Sequence, residues 1–246
     1  ETAHRVLQNI GQVLRYAVVT GRADRDVSAD LRGALAPVRG KNLAAVVEPA
    51  KVGPLLRMLD SYEGSFIVAS ALRLALLVFV RPGELRTARW EDIDLQAGEW
   101  RYLVTKTQTQ HIVPLARQAV AILQELQPLT GRGVYVFPSA RTASPAAKIQ
   151  RPMSDNAILS AMRRLGIDKE EMSGHGFRAM ARTIMDEVLG IRPDLIEHQL
   201  AHSVRDPLGR AYNRTSHLPA RKEMMQQWAD YLDKLKAGAE VVRLRA

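Results

Sequence analysis

Residues 66–80, FIVASALRLALLVFV, form the most apolar stretch of the chain, interrupted by one charge, Arg73, and ended by Arg81-Pro82-Gly83-Glu84. A membrane span needs roughly twenty apolar residues, and this run holds fifteen. It is therefore read as a buried core helix. The Pro-Gly turn signal that follows breaks the run where a guanidinium would be costly to bury without a partner. A functional residue is expected at that break.

The rest of the pattern is arranged around this helix. Val6, Leu7, Ile10, Val13, Leu14 and Ala17 recur at helical spacing up to Gly21, predicting an amphipathic helix with a glycine stop. Residues 31–36 give a second short helical piece, and residues 37–42 mix turn formers with positive charge as a linker does. Helical patterns return over 52–59 and 65–79. Residues 90–95, 99–105 and 111–115 are short, rich in β-formers and divided by turn-like residues, which predicts a small antiparallel sheet. Helices are then predicted over 116–126, 155–165, 176–188, 193–201 and 219–235, the last with Met225, Trp228, Leu232 and Leu235 on one face. The expected fold class is mainly α with a small three-stranded antiparallel sheet (α+β). No internal repeat or low-complexity segment is visible.

Composition narrows the function. Thirty-five Lys and Arg against twenty-six Asp and Glu give a net charge of +9. A polyanionic partner is the first suspect, nucleic acid ahead of a membrane surface, and the plainer reading is a basic surface that keeps the protein soluble. The absence of cysteine excludes disulfides, cysteine-based zinc sites and thiol catalysis, and fits a reducing compartment, the cytoplasm. The chain opens on Glu1 inside a helical pattern, so an upstream segment is expected.

Six polar residues stand out. Arg81 has Glu84 three residues on as an orienting carboxylate; a plain Arg81–Glu84 pair at a helix start is the structural alternative. His175 and Arg178 sit three apart at the start of a helix, where backbone N–H groups also favour anions; an ordinary cap with incidental charges is the alternative. His198 and His202 have the i,i+4 spacing of zinc ligands, but Gln199 stands where the zinc-protease pattern needs Glu, and no third ligand is evident. No metal is expected, and His202 is preferred as a hydrogen-bond donor. Lys106 falls where the second predicted strand turns into the third, a place where solvated lysines are commonplace. Tyr212, in Arg210-Ala-Tyr-Asn-Arg214, has the surroundings of a nucleophile: a phenol titrates near 10, so its attack at neutral pH needs nearby positive charge and a base.

In combination these residues carry more. The order Arg81, Lys106, His175-x-x-Arg178, His202, Tyr212 resembles the catalytic series of the tyrosine recombinases and phage integrases. The flanks agree: Arg-Pro-Gly-Glu-Leu85, Ala88-Arg-Trp-Glu-Asp-Ile-Asp94, His111-Ile-Val-Pro-Leu115, Gln199-Leu-Ala-His202, Ala211-Tyr-Asn-Arg214 and Met224-Met-Gln-Gln-Trp-Ala-Asp-Tyr-Leu232. They look most like integrases of prophages, satellite phages and genomic islands. The resemblance implies a tyrosine-recombinase catalytic domain over 51–246, a linker over 39–50, and the end of a helical core DNA-binding domain over 1–38. It implies that Tyr212 forms a 3′-phosphotyrosyl link and that Arg81 and Arg178 grip the phosphate. His202 adds a hydrogen bond, His175 assists proton transfer, Lys106 protonates the leaving 5′-oxygen, and Glu84 holds Arg81. The implied partners are double-stranded DNA attachment sites, three further copies in a homotetramer on DNA, and accessory excision or DNA-bending proteins; no membrane, cofactor or metal is implied. A type IB topoisomerase-like enzyme and a catalytically inactive DNA-binding relative are the rival readings.

Overall fold

The computed structural model describes residues 1–37, 43–104, 108–140, 150–202 and 217–238, and divides the chain into two units, Glu1–Asn42 and Leu43–Ala246. In the first unit, α1 (Thr2–Val19) has only Gly11 buried, while Val6, Ile10, Val13 and Tyr16 are exposed. A 3-10 turn follows at Val27–Leu31. The short helical piece expected over 31–36 thus lies earlier, because the Asp26 carboxylate accepts the Ser28 N–H at 3.0 Å and nucleates the turn there.

The second unit contains α2 (Pro49–Asp60), α3 (Phe66–Val78), α4 (Pro82–Arg86), a 3-10 turn (Trp90–Asp92), β1 (Ile93–Asp94), β2 (Glu99–Val104) and β3 (Thr109–Pro114). These are followed by α5 (Arg117–Thr130), α6 (Ala157–Arg164), α7 (Gly176–Glu187), α8 (Pro193–Gln199) and α9 (Leu218–Ala237). The apolar run is the hub: α3 packs on α2, α4, α5, α6, α7 and α9. A helix hydrophobic on nearly every side is buried along most of its length, and here the first residue, Phe66, stays 42% exposed while residues 69–72 and 74–78 are buried. Among its buried residues, Leu72, Leu74 and Val78 are at most 1% exposed. Each such side chain contributes about 1.5–3 kcal/mol of transfer free energy. The indole N–H of Trp228 on α9, itself fully buried, donates to the Leu76 carbonyl at 2.9 Å.

The sheet runs β1-β2-β3, antiparallel throughout, with Trp100 opposite Val113 and Tyr102 opposite His111. Period-two alternation buries Trp100, Tyr102 and Val104 on one face and leaves Arg101 and Leu103 out. The strand expected over 90–95 begins as a 3-10 turn. The Trp90 backbone N–H goes to the Val134 carbonyl at 3.1 Å and its indole to the Thr130 hydroxyl at 3.1 Å, partners that hold it off the ladder. Part of the expected linker is core: Val46 is 7% exposed, and the Ala44 carbonyl accepts both the backbone N–H and the hydroxyl of Ser173.

Candidate phosphate-binding and catalytic site

The site grows from the way α3 stops. Phe79 takes a left-handed conformation (φ 37°), which ends the helix and turns its carbonyl away from the axis. Arg81 is then extended, and Pro82 starts α4 with its φ already helical. Glu84, three residues on, accepts the Arg81 backbone N–H at 3.0 Å and its guanidinium at 2.8 Å. The Tyr102 hydroxyl donates to the same carboxylate at 2.9 Å, so Glu84, 9% exposed, is held from both the helix and the sheet. The buried carboxylate beside it keeps the Tyr102 phenol protonated: burial first, then the Glu84 charge, push its pKa well up.

Arg178 reaches the same place from the first turn of α7. Its guanidinium donates to the Phe79 carbonyl at 3.0 Å and the Leu200 carbonyl at 2.8 Å, and lies 3.2 Å from His202 Nε2. Arg81 also approaches the Ala201 carbonyl, at 3.5 Å, the outer limit of a hydrogen bond. Ala201 is left-handed too (φ 51°). Two non-glycine residues in this sparsely populated region therefore flank the carbonyls that hold Arg178, a local cost of the kind that concentrates at functional sites. Burial first, and then the neighbouring Arg81 charge, lower the Arg178 pKa from its usual very high value. The Phe79 and Leu200 carbonyls orient the guanidinium without cancelling its charge. Two guanidiniums near each other, with one carboxylate bound to the first, form a fork suited to a phosphate.

His175 is the residue before α7 and is exposed at the site's edge. Partial burial, then the charges of Arg178 and Arg81, push its imidazole below the usual range, so it is neutral at pH 7 and able to accept a proton. His202 follows α8; its Nδ1 lies 2.5 Å from Glu197, which also accepts Arg182 Nε at 2.7 Å. His198 turns elsewhere, its ring 5.6 Å from that of His217. Among the described residues no group of three or more histidines and carboxylates is placed to hold a metal, and no helix is long and apolar enough to cross a membrane. Arg81, Glu84, Arg178 and His202 are thus joined through hydrogen bonds, with His175 within reach of the same charges. Lys106 and Tyr212 lie outside the described residues.

Sequence reasoning missed the support around these groups. His111, treated as a strand flank, is 8% exposed with Nε2 3.1 Å from the Gln199 carbonyl. Arg221 of α9, 2% exposed, donates to the Gln199 side chain at 2.6 Å and to the Ile112 carbonyl at 2.5 Å. Tyr102 and Glu197 were missed as well. The available signals were a tyrosine alternating with Trp100 on the buried face of a strand and a carboxylate five residues before His202.

Fold and site together define a mainly helical domain in which Arg81, Arg178 and His202 converge on the carbonyls of Phe79, Leu200 and Ala201. Residues 46–217 match the model of the phage integrase family, and residues 1–34 match that of the phage integrase central domain. The integrase of Enterobacteria phage P4 is 37% identical over 249 residues, covering 95% of this chain and 55% of that protein. The chain therefore spans little more than half the length of this curated relative. Two solved structures share the fold. One, a "lambda integrase(75-356) dimer bound to a COC' core site", has a TM-score of 0.59 at 19% identity, over 81% of this chain and 71% of that one. The other, a lambda integrase tetramer bound to a Holliday junction, has a TM-score of 0.57 at 18% identity, over 85% and 60%. The chain belongs to the phage integrase family of tyrosine recombinases.

Proposed function

We propose that this chain carries the cleavage and rejoining chemistry of a site-specific DNA recombinase that integrates or excises a mobile element. The observation that carries the reading is the Arg81–Arg178 pair, oriented by Glu84 and by the Phe79 and Leu200 carbonyls with charge left over for a phosphate. The Tyr212 phenol oxygen attacks the scissile phosphorus as its proton passes to a base, and His175 assists that transfer. The bond to the 5′-oxygen breaks, Lys106 protonates that oxygen, and a 3′-phosphotyrosyl link remains. Attack by the 5′-hydroxyl of a partner strand reverses the step. Arg81, Arg178 and His202 stabilise the charge that grows on the non-bridging oxygens. The phosphodiester is conserved in the protein–DNA bond, so no step calls for ATP or a metal.

In this reading residues 51–246, together with the segment from Leu43 that packs on them, are the catalytic domain, and 1–38 are part of a core DNA-binding domain. The partners are double-stranded attachment sites and three further copies of the chain, as in the DNA-bound lambda tetramer. Accessory excision or DNA-bending proteins join them in the cytoplasm. Incubation with a nicked suicide substrate carrying the attachment site is expected to give a covalent complex that Tyr212→Phe abolishes. An adduct that persists in Tyr212→Phe, or none with any attachment site of the parent element, overturns the reading in favour of a DNA-binding relative.

A further inference from the structure

The clearest arrangement beyond the roles already assigned lies on the far side of the His202 ring. Left-handed Ala201 turns the chain back after α8, so that the His202 backbone N–H donates to the Glu197 carbonyl at 3.1 Å. The same two residues meet again through their side chains, Nδ1 to Oε2 at 2.5 Å. Arg182, one turn along α7 from Arg178, clamps the other carboxylate oxygen at 2.7 Å. Burial would raise the Glu197 carboxyl, but the hydrogen bonds from His202 and Arg182 outweigh it and hold the group below the usual range, ionised at neutral pH.

This geometry fixes the tautomer. A guanidinium has donors only, so the Nε2 that faces Arg178 at 3.2 Å presents its lone pair, and the ring proton sits on Nδ1, donated to Glu197. In that form His202 has no proton to offer a phosphate from Nε2. An ionised phosphate oxygen, an acceptor only, can take the place of the Arg178 N–H at Nε2 only if a second proton arrives there.

We propose that Glu197 is a positioning residue that makes this exchange possible: it holds the Nδ1 proton so that His202 takes up a solvent proton at Nε2 when a phosphate engages the site. The Arg178 Nη2–H released from the ring turns to a phosphate oxygen, and the new Nε2–H donates to another. One proton is gained from solvent, no covalent bond to carbon or phosphorus changes, and the imidazolium is stabilised by Glu197 on one side and the phosphate on the other. Among the described residues the charged groups against the ring are Glu197 from α8 and Arg178 from α7, with Arg182 of α7 bound to the same carboxylate.

The inference rests on the recombinase reading for its phosphate, and its test does not require cleavage. Ring-nitrogen NMR of the whole chain, with His202 assigned by its loss in His202→Asn, reads tautomer and protonation directly; inorganic sulfate, whose charge is constant across the range, serves as the probe. The free protein is expected to show the Nδ1–H form. Saturating sulfate is expected to raise the doubly protonated fraction at pH 7.5 about tenfold, and Glu197→Gln to lose most of that rise while Glu197→Asp keeps part of it. An Nε2–H form in the free protein, or an equal sulfate response in folded Glu197→Gln, overturns the proposal. With DNA, the alkaline limb of adduct formation is expected about one pH unit lower in Glu197→Gln. An adduct with an unmoved limb sinks the Glu197 role and leaves the recombinase reading standing, whereas loss of the adduct in the parent chain with the sulfate response intact does the reverse.

Discussion

His111 allows a pH dependence to be worked out from structure. Its ring lies within the sheet, 8% exposed, edge-on to Tyr102 at 5.6 Å, with Nε2 3.1 Å from the Gln199 carbonyl. A carbonyl only accepts, so Nε2 carries the proton and the neutral ring is satisfied. A second proton would place a cation in a buried site beside Arg221. Burial, then that charge, push the pKa down from 6.5 to about 3. The unfolded chain binds the proton first as pH falls, so this contribution to stability is whole above about 6.5 and is lost progressively from there toward 3. At pH 5 the loss is 1.5 units, or about 2 kcal/mol at 1.36 kcal/mol per unit, and about 4–8 °C in Tm for a domain of this size. His111→Gln keeps a donor for the Gln199 carbonyl and does not titrate. Urea denaturation of both proteins at pH 7.5 and pH 5 cancels the other groups, and the parent chain is expected to lose about 2 kcal/mol more than the variant. Equal losses in the two proteins would refute the assignment of a buried neutral ring.

Three further outcomes follow from the geometry. Arg178→Ala is expected to slow adduct formation by about 10²–10³ while leaving DNA binding measurable by gel shift; a near-normal rate would remove Arg178 from the phosphate. Tyr102→Phe takes one of the hydrogen bonds from buried Glu84 and is expected to cost about 1–3 kcal/mol by denaturant titration, with a smaller rate loss than Arg81→Ala. At Gly176 an added Cβ would lie 2.5 Å from the Ala44 carbonyl oxygen. Gly176→Ala is therefore expected to destabilise the domain by about 1–3 kcal/mol and to speed hydrogen exchange at Ser173, whose N–H is bound to that carbonyl; unchanged exchange would show that the neighbours yield freely.

What could be read in the sequence was what neighbours along the chain decide. Residues 66–80 were too apolar to be anything but interior, and the Arg81–Glu84 bond follows from two side chains three apart on a proline-started turn. The boundaries of β2, α7 and α9 fell close to those expected because alternation and helical period are local signals. The hydrogen bonds of Arg178 to Phe79 and of Arg81 to Ala201 join residues 99 and 120 positions apart, and no spacing rule reaches that far. Trp90 read as strand because an aromatic in a short β-rich run does so by propensity; its partners Thr130 and Val134 come from the end of α5 and the turn beyond it. His111 gave no sign of burial, since its ring is accommodated by a carbonyl on α8 and not by anything beside it in β3.

Arg221 has a mechanical consequence. Through Gln199 it ties the first turn of α9 to the last residue of α8, three positions before His202. The same guanidinium donates to the Ile112 carbonyl of β3, so one buried side chain couples two helices and the sheet. Replacing Arg221 would therefore loosen α8, α9 and β3 together without touching Arg81 or Arg178, so stiffness on this side of the domain is shared through one guanidinium.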